Sequence, residues 1–488
     1  MDDATKEQKK IINCDLPPGD ILKVIAFAGT GKTTTLVEYA KARPHMTFLY
    51  AAFNKSVQME AQNKFPSNVT CRTSHALAFR SHGVKHKDRL VPGFKSNIVM
   101  EVLDLISYAD ARFAISTLNN YLVSPDAKVT KRHIPHNARA FYSENKKRMP
   151  NLVEYANRLG RLMCDGSNEK IGMLHDGYLK LYQLSKPVLK FDCILLDEAQ
   201  DTNPVTSDII LSQCQSADQR RNPASIILVG DSHQQIYSFR GAKDTLRNID
   251  SSKTLFLTQS FRFDNNIARV ANMVLGTFKN ETKKITGTSV NKNTKPKWDP
   301  KNHTIIARTN ATVFRKAMQL YNKNNIGFIG GTKGYRFNII GDVYNFYTGK
   351  LVNNNYISSF NSYNELKTYA QDVEDFELLS VCKVVEEYKD SIPGHIKRIT
   401  EKAVDTKDAD IILTTAHKAK GLEWNNVLTM GDFQDLVREE EFIDPEEIEP
   451  DEFNLIYVTM TRARANLRFD KESSLPEFIQ LFQSNRAA

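Results

Sequence analysis

The sequence predicts an α/β fold, with parallel strands covered by helices on both faces and helical segments inserted between strands. Strand-like runs, most of them apolar, alternate with helix-length segments: Ile21 to Ala28, Met46 to Ala52 and Val69 to Thr73, then Phe191 to Leu196 and Ser225 to Val229, then Thr304 to Ala307 and Ile411 to Thr415. Between these groups strand signals lapse, and 83–163 and 330–407 read as mostly helical. A glycine-bearing loop, Ala28-Gly29-Thr30-Gly31-Lys32-Thr33, joins the first strand to the helix after it.

That loop has the composition of a phosphate cradle. Gly29 and Gly31 let successive N–H groups and a helix N-terminus point at phosphates, Lys32 would reach the β- and γ-phosphates, and the Thr33 hydroxyl would hold Mg²⁺. Ala26 stands where the GxxxxGK[ST] pattern has its first glycine, and the helix is expected over Thr34 to Ala42. Upstream, Thr5 to Asn13 reads as a short polar helix in which Gln8 is a solvated glutamine. Downstream, a helix is expected from about Ser56 to Phe65. Phe53, Asn54 and His75 fall at the carboxyl ends of strands, where ligands sit in parallel sheets.

The helical stretch carries a basic cluster, Lys128, Lys131, Arg132, Arg139, Lys146, Lys147 and Arg148, with Phe141 and Tyr142 inside it. It is either a solvated face or a phosphate-tracking surface. The strand ending at Leu196 runs into Asp197-Glu198-Ala199-Gln200-Asp201. An acidic pair there supplies what a phosphate loop needs for hydrolysis: Asp197 to position Mg²⁺ and Glu198 to orient and deprotonate water. The next run leads into Gly230-Asp231-Ser232-His233-Gln234-Gln235-Ile236-Tyr237-Ser238-Phe239-Arg240, where Gln234 could sense a γ-phosphate close to aromatics and an arginine suited to stacking and phosphate contact. Ser260-Phe261-Arg262 repeats the aromatic and arginine pair after Leu255 to Leu257, and the acidic stretch Glu439 to Glu452 reads as a solvated loop.

Composition bounds the rest. The 488 residues suffice for two to four domains, with 41% hydrophobic and 25% charged residues as in globular proteins. No apolar run approaches the ~18 residues of a membrane span, and MDDATKEQKK has no signal-peptide core. The six cysteines have no paired spacing and read as reduced thiols of an intracellular protein. The net charge of +9 favours a polyanionic partner.

Taken together, AFAGTGKT, FNK, TSHALA, HDGYLKLYQLSKP, DEAQD, GDSHQQIYSFRGA, SFRF, TAHKAKGLEW and YVTMTRAR resemble, in order, the motifs of superfamily 1 helicases of the UvrD/Rep type, most closely the helicase portion of the F-box DNA helicases. The resemblance implies two RecA-like P-loop NTPase lobes, one from 1–82 and 165–253 and one from 254–329 and 408–488. It also implies a helical insertion over 83–164 and a reduced second insertion over 330–407. It implies that Gln8 reads adenine with Phe261 stacking on the base, that Ala28, Gly29, Thr30, Gly31 and Thr34 complete the ATP site, and that Glu423 contacts the ribose. Gln234 would couple the γ-phosphate to DNA, and Arg262 and Arg462 resemble the arginine fingers that close on ATP. Phe53, Asn54, His75, Tyr237, Phe239, Arg240 and His417 match positions lining a single-strand channel.

Three departures stand out: Thr34 where many relatives carry an arginine, Phe239 in place of a tryptophan, and a span between Arg308 and Ile411 much shorter than the second insertion of UvrD-type proteins. The expected activity is an ATP- and Mg²⁺-dependent 3′→5′ DNA translocase and helicase acting on single-stranded and tailed duplex DNA in repair, recombination or replication. It would work in the nucleus of a eukaryote or the cytoplasm of a bacterium. The alternative is an ssDNA-dependent ATPase that strips proteins from DNA or regulates a partner nuclease or ligase; a P-loop kinase or RNA helicase fits the motifs less well. No F-box segment precedes Gln8, so no ligase role is expected of this chain.

Overall fold

The computed structural model describes residues 4–144, 148–215, 223–237, 244, 246, 249–288, 296–354, 356–372 and 375–487. The chain forms two compact units, 1–26 with 31–257, and 27–30 with 258–488.

The first unit is built on a six-stranded sheet. Its strands are β1 (Ile21–Ala26), β2 (Phe48–Ala52), β3 (Val69–Thr73), β4 (Cys193–Leu196), β5 (Ser225–Gly230) and β6 (Lys253–Leu257). They lie in the order β3-β2-β4-β5-β1-β6, every neighbouring pair parallel. Strands β2, β4 and β5 are buried at every residue, which accounts for their unbroken apolar runs. Two apolar clusters pack on the sheet. One includes Leu36, Tyr39 and Tyr50; the other is larger and joins Leu49, Leu196 and Leu228 to the helices Tyr108–Leu122, Leu152–Cys164 and His175–Leu184. The helical stretch after β3 thus shares a core with the sheet and carries one short strand of its own, Leu90–Val91, paired with Met173–Leu174.

The second unit has a five-stranded parallel sheet of β7 (His303–Ala307), β8 (Ile326–Phe328), β9 (Ile411–Thr415), β10 (Trp424–Thr429) and β11 (Ala463–Phe469), in the order β8-β9-β7-β10-β11. Between β8 and β9 come mainly helices, including Phe337–Tyr347, Phe376–Tyr388 and Ile392–Lys402.

Two expectations are corrected. Gln8 is only 6% exposed. It forms a reciprocal cap with Thr5, its Oε1 accepting from the Thr5 N–H at 3.0 Å and its N–H donating to Thr5 Oγ1 at 3.1 Å. The acidic stretch is not wholly a solvated loop: Pro450–Met460 is a helix, and the buried Glu452 carboxylate accepts from Arg308 Nε at 3.0 Å and from its second guanidinium nitrogen at 2.7 Å. A charge is tolerated there because it is paired in bidentate fashion.

Candidate nucleotide site and nucleic-acid-facing cavity

The phosphate-loop helix starts earlier than its composition suggests. Gly31, at φ 76°, is the cap of α1 (Lys32–Lys41), so Lys32 and Thr33 occupy the first turn rather than the loop. Gly29 is also left-handed at φ 73°, a backbone state a side chain would strain. The Thr30 hydroxyl donates to the Phe27 carbonyl at 2.8 Å and closes the turn. No side chain caps the helix and its first turn holds no acid, which leaves its N-terminus suited to an anion.

The acidic pair lies against this turn. Lys32 Nζ sits 2.8 Å from Glu198 Oε1. Burial works to lower the Lys32 pKa, but the carboxylates of Glu198, Asp197 and Asp231 outweigh it and the net shift is upward, so the ammonium stays charged. The Thr33 hydroxyl donates to Asp197 Oδ2 at 3.2 Å, the Tyr50 hydroxyl donates to the same oxygen at 2.7 Å, and the Glu198 N–H donates to Oδ1 at 2.9 Å. Burial, and then the neighbouring Glu198, push the Asp197 carboxyl above its usual range against the pull of Lys32. One carboxylate and one hydroxyl, both hard oxygens beside a phosphate loop, suit Mg²⁺, which keeps waters and phosphate oxygens as its other ligands.

Gln200, fully buried, extends the cluster. Its Nε2 donates to Glu198 Oε2 at 2.5 Å and its Oε1 accepts the Asp231 N–H at 3.1 Å. Asp231 in turn accepts from Gln234 Nε2 at 2.7 Å and from the His233 N–H at 3.0 Å. Glu198 itself adopts φ 50°, a strained conformation for a non-glycine residue at the turn that aims its side chain. Sequence reasoning did not single out Tyr50 or Gln200 individually. Tyr50 carried one usable signal, a tyrosine inside a buried apolar strand whose hydroxyl needs a partner.

A cavity of about 270 Å³ opens beside Asp197, lined among others by Ala52, Phe53, His75, Asp176, Asp201 and Tyr237. Phe53 and Tyr237 stack at its edge with ring centroids 5.9 Å apart and planes at 18°. His75 Nε2 lies 3.1 Å from Asp176 Oδ1, and its ring meets those of His175 and Tyr178 edge-on. Asn54 caps the helix Lys55–Lys64 by accepting the Val57 N–H at 2.9 Å. Phe239 and Arg240 lie outside the described residues.

In the basic cluster, Arg132 pairs with Asp126 at 2.8 Å. Phe141 and Tyr142 pack on Phe113, and the Tyr142 hydroxyl donates to Asp110 at 2.6 Å, so these rings serve packing rather than an open stacking face. Lys146 and Lys147 lie outside the described residues.

In the second unit, Arg262 donates from Nε to Glu423 Oε2 at 2.6 Å and from Nη1 to the Thr461 carbonyl at 3.2 Å, with Phe261 beside it 46% exposed. Glu423 also lies 3.7 Å from Arg464. Arg462 is buried and donates to the carbonyls of Val458 at 2.8 Å and Leu422 at 3.2 Å. His417 sits in the short helix Ala416–Ala419 that follows β9.

The family model for the UvrD/REP helicase N-terminal domain matches residues 50–256, and that for the UvrD-like helicase C-terminal domain matches 354–473. The chain belongs to the UvrD-like helicase family. Its two parallel sheets are therefore those of two RecA-like lobes. It is 36% identical over 94% of its length to F-box DNA helicase 1 of Gallus gallus, and 32% identical over 95% to F-box DNA helicase protein 1 of Schizosaccharomyces pombe. It spans 48% and 57% of those two proteins. ATP-dependent DNA helicase UvrD1 of Mycobacterium leprae is 23% identical over 56% of this chain and 40% of its own. Among the described residues, no helix is long and apolar enough to cross a membrane.

Proposed function

We propose that this chain is an ATP- and Mg²⁺-dependent motor that moves 3′→5′ along single-stranded DNA and separates tailed duplexes during repair, recombination or replication. The observation that carries the proposal is the continuous polar chain Lys32–Glu198–Gln200–Asp231–Gln234, which joins a phosphate-loop lysine to a residue three positions before Tyr237, the ring stacked on Phe53.

In this reading the N-terminus of α1 and Lys32 bind the phosphates. Thr33 and Asp197 hold Mg²⁺, which when bound neutralises charge on the phosphate oxygens. Glu198 orients a water and accepts its proton, while Gln200 and Lys32 hold that carboxylate in place. Gln8, Ala28, Gly29, Thr30, Thr34, Phe261 and Glu423 complete nucleotide binding. Arg262 and Arg462 stabilise the transferring phosphoryl group, a role worth roughly 10³–10⁵ in rate in related reactions. Phe53, Asn54, His75, Tyr237, Phe239, Arg240 and His417 grip the strand. Stacking contributes about 1–3 kcal/mol per base whatever the base. Such a grip tolerates any base, so movement would be largely independent of sequence, and the ~1.4 kcal/mol mean cost of a base-pair step makes unwinding by directed translocation energetically modest.

ATPase rate with and without ssDNA, followed by displacement on 3′- and 5′-tailed duplexes, tests the proposal. DNA stimulation with displacement only from the 3′ tail supports it; stimulation by RNA alone, or displacement from the 5′ tail, refutes it. A second reading, protein stripping without efficient unwinding, draws on the 330–407 helices, whose apolar core is continuous with that of β8 and β9. Streptavidin release from ssDNA, measured beside strand displacement, separates the two. In a eukaryotic host we place the protein in the nucleus, which fractionation would check.

A further inference from the structure

We propose that Tyr50 is a positioning residue for the metal-facing carboxylate, its hydroxyl holding Asp197 in the orientation that meets Thr33. The proposal rests on the nucleotide-site reading above.

Tyr50 is fully buried in β2, and Asp197 directly follows β4, the adjoining strand, where Tyr50 pairs in register with Leu195. The hydroxyl reaches Asp197 Oδ2 at 2.7 Å, within the ordinary range of an O–H···O hydrogen bond. Its ring is fixed by Phe65, centroids 4.8 Å apart, and by the apolar cluster around Leu36, Leu195 and Val229. The donor therefore sits on a rigid strand. With the Glu198 N–H on Oδ1 and Thr33 sharing Oδ2, the carboxylate is held from three directions.

A buried tyrosine needs a partner for its hydroxyl, and a main-chain carbonyl would serve. Tyr335 in the second unit is satisfied in that way, donating to the carbonyls of Ile329 and Leu413. Tyr50 instead spends its one donor on the carboxylate that the site reading assigns to the metal. A carboxylate held this way has less freedom to lose when a cation binds, and partners of this kind are typically worth about 10–100-fold in metal affinity.

Tyr50→Phe keeps the ring and removes the donor. The probe is Mn²⁺, titrated by electron paramagnetic resonance into the protein with ADP. The expected result is a loss of about 10–100-fold in Mn²⁺ affinity. The Mg²⁺ concentration for half-maximal ATPase should rise by a similar factor, with kcat recovering at saturating Mg²⁺ and the urea midpoint staying near the parent value. Mn²⁺ affinity within twofold of the parent overturns the proposal, as does a parallel fall of stability, affinity and saturating kcat. Asp197→Asn separates this failure from a failure of the site reading: if it too keeps Mn²⁺ affinity, the metal assignment is wrong; if it alone loses affinity, only the role of Tyr50 is.

Discussion

Gly230→Ala strikes the polar chain without touching any group proposed to meet the nucleotide. A Cβ built at Gly230 would collide with Gln200 Oε1 and lie 2.8 Å from Leu246 Cδ1 and 3.2 Å from the Ala199 nitrogen. Gln200 is fully buried and bonded at both ends of its amide, so it cannot retreat without releasing Asp231 or Glu198. Leaving the buried Asp231 N–H without its acceptor costs about 1–3 kcal/mol. Forcing a methyl into a filled interior adds about 1–3 kcal/mol. The first unit should therefore lose on the order of 2–6 kcal/mol in urea unfolding. Glu198, deprived of the Gln200 donor, should drift from its water, and a displacement of that kind is worth roughly 10²-fold in turnover. Nucleotide binding, read with a fluorescent ADP, should hold because Lys32 and Thr33 are unaltered. Gly93→Ala, with no atom within 4 Å of its Cβ, is the neutral control. Parent-like turnover in a Gly230→Ala protein, or equal losses in both variants, would refute the reasoning.

Lys32→Ala should lose nucleotide binding and hydrolysis together, whereas Glu198→Gln should bind ATP without turning it over; parent-rate hydrolysis by the latter would show that Glu198 is not the base. Phe53→Ala removes a ring that is 43% exposed, so ssDNA binding should weaken by about 1–3 kcal/mol with little change in unfolding; a large stability loss would mark the ring as core instead. Lys180, 2% exposed, donates to the carbonyls of Ser124 and Asp126, and burial pulls its pKa down from 10.5 to about 8. Its unfolded form binds the proton more tightly, so its contribution to stability rises as pH climbs from about 8 to 10.5 and is flat below. The parent minus Lys180→Met stability difference should therefore grow by roughly 3 kcal/mol across that window; a flat difference would contradict the shift.

The elements easiest to read were those whose burial matches their sequence without help from distant partners. Ile411–Thr415 begins and ends where its run of sequence does, and all but one of its residues are buried. Lys32 was harder to place, because helix composition begins at Thr34 while the left-handed Gly31 starts the helix two residues sooner. Gln8 and Glu452 were misread for a shared reason. Their polarity suggests solvent, yet each is buried against a partner: Thr5 three residues away, and Arg308 at a separation of 144 residues. Local spacing could have exposed the first, since Thr5 and Gln8 have capping-box spacing, but no window of sequence contains the second. The same limit hid Tyr50 and Gln200, whose hydrogen bonds become visible only when β2, β4 and β5 lie side by side.

The segment between β8 and β9 raises a separate mechanical question. Phe337, Ile340, Val381, Val385 and Ile399 from its helices share one apolar core with Phe314, Phe328 and Leu413 of the sheet layer. Two polar ties reinforce it. The Glu377 carboxylate accepts the Asn310 N–H, at the start of the helix Asn310–Leu320, at 3.1 Å from both oxygens, and Gly327 bridges to Val404. Swinging these helices as a rigid body would expose that core, and each large apolar side chain returned to water costs about 1.5–3 kcal/mol. Five such residues already amount to roughly the whole stability of an ordinary domain, about 5–15 kcal/mol. The segment therefore moves with its sheet. The strand separation proposed for this chain would draw on motions that leave that core intact.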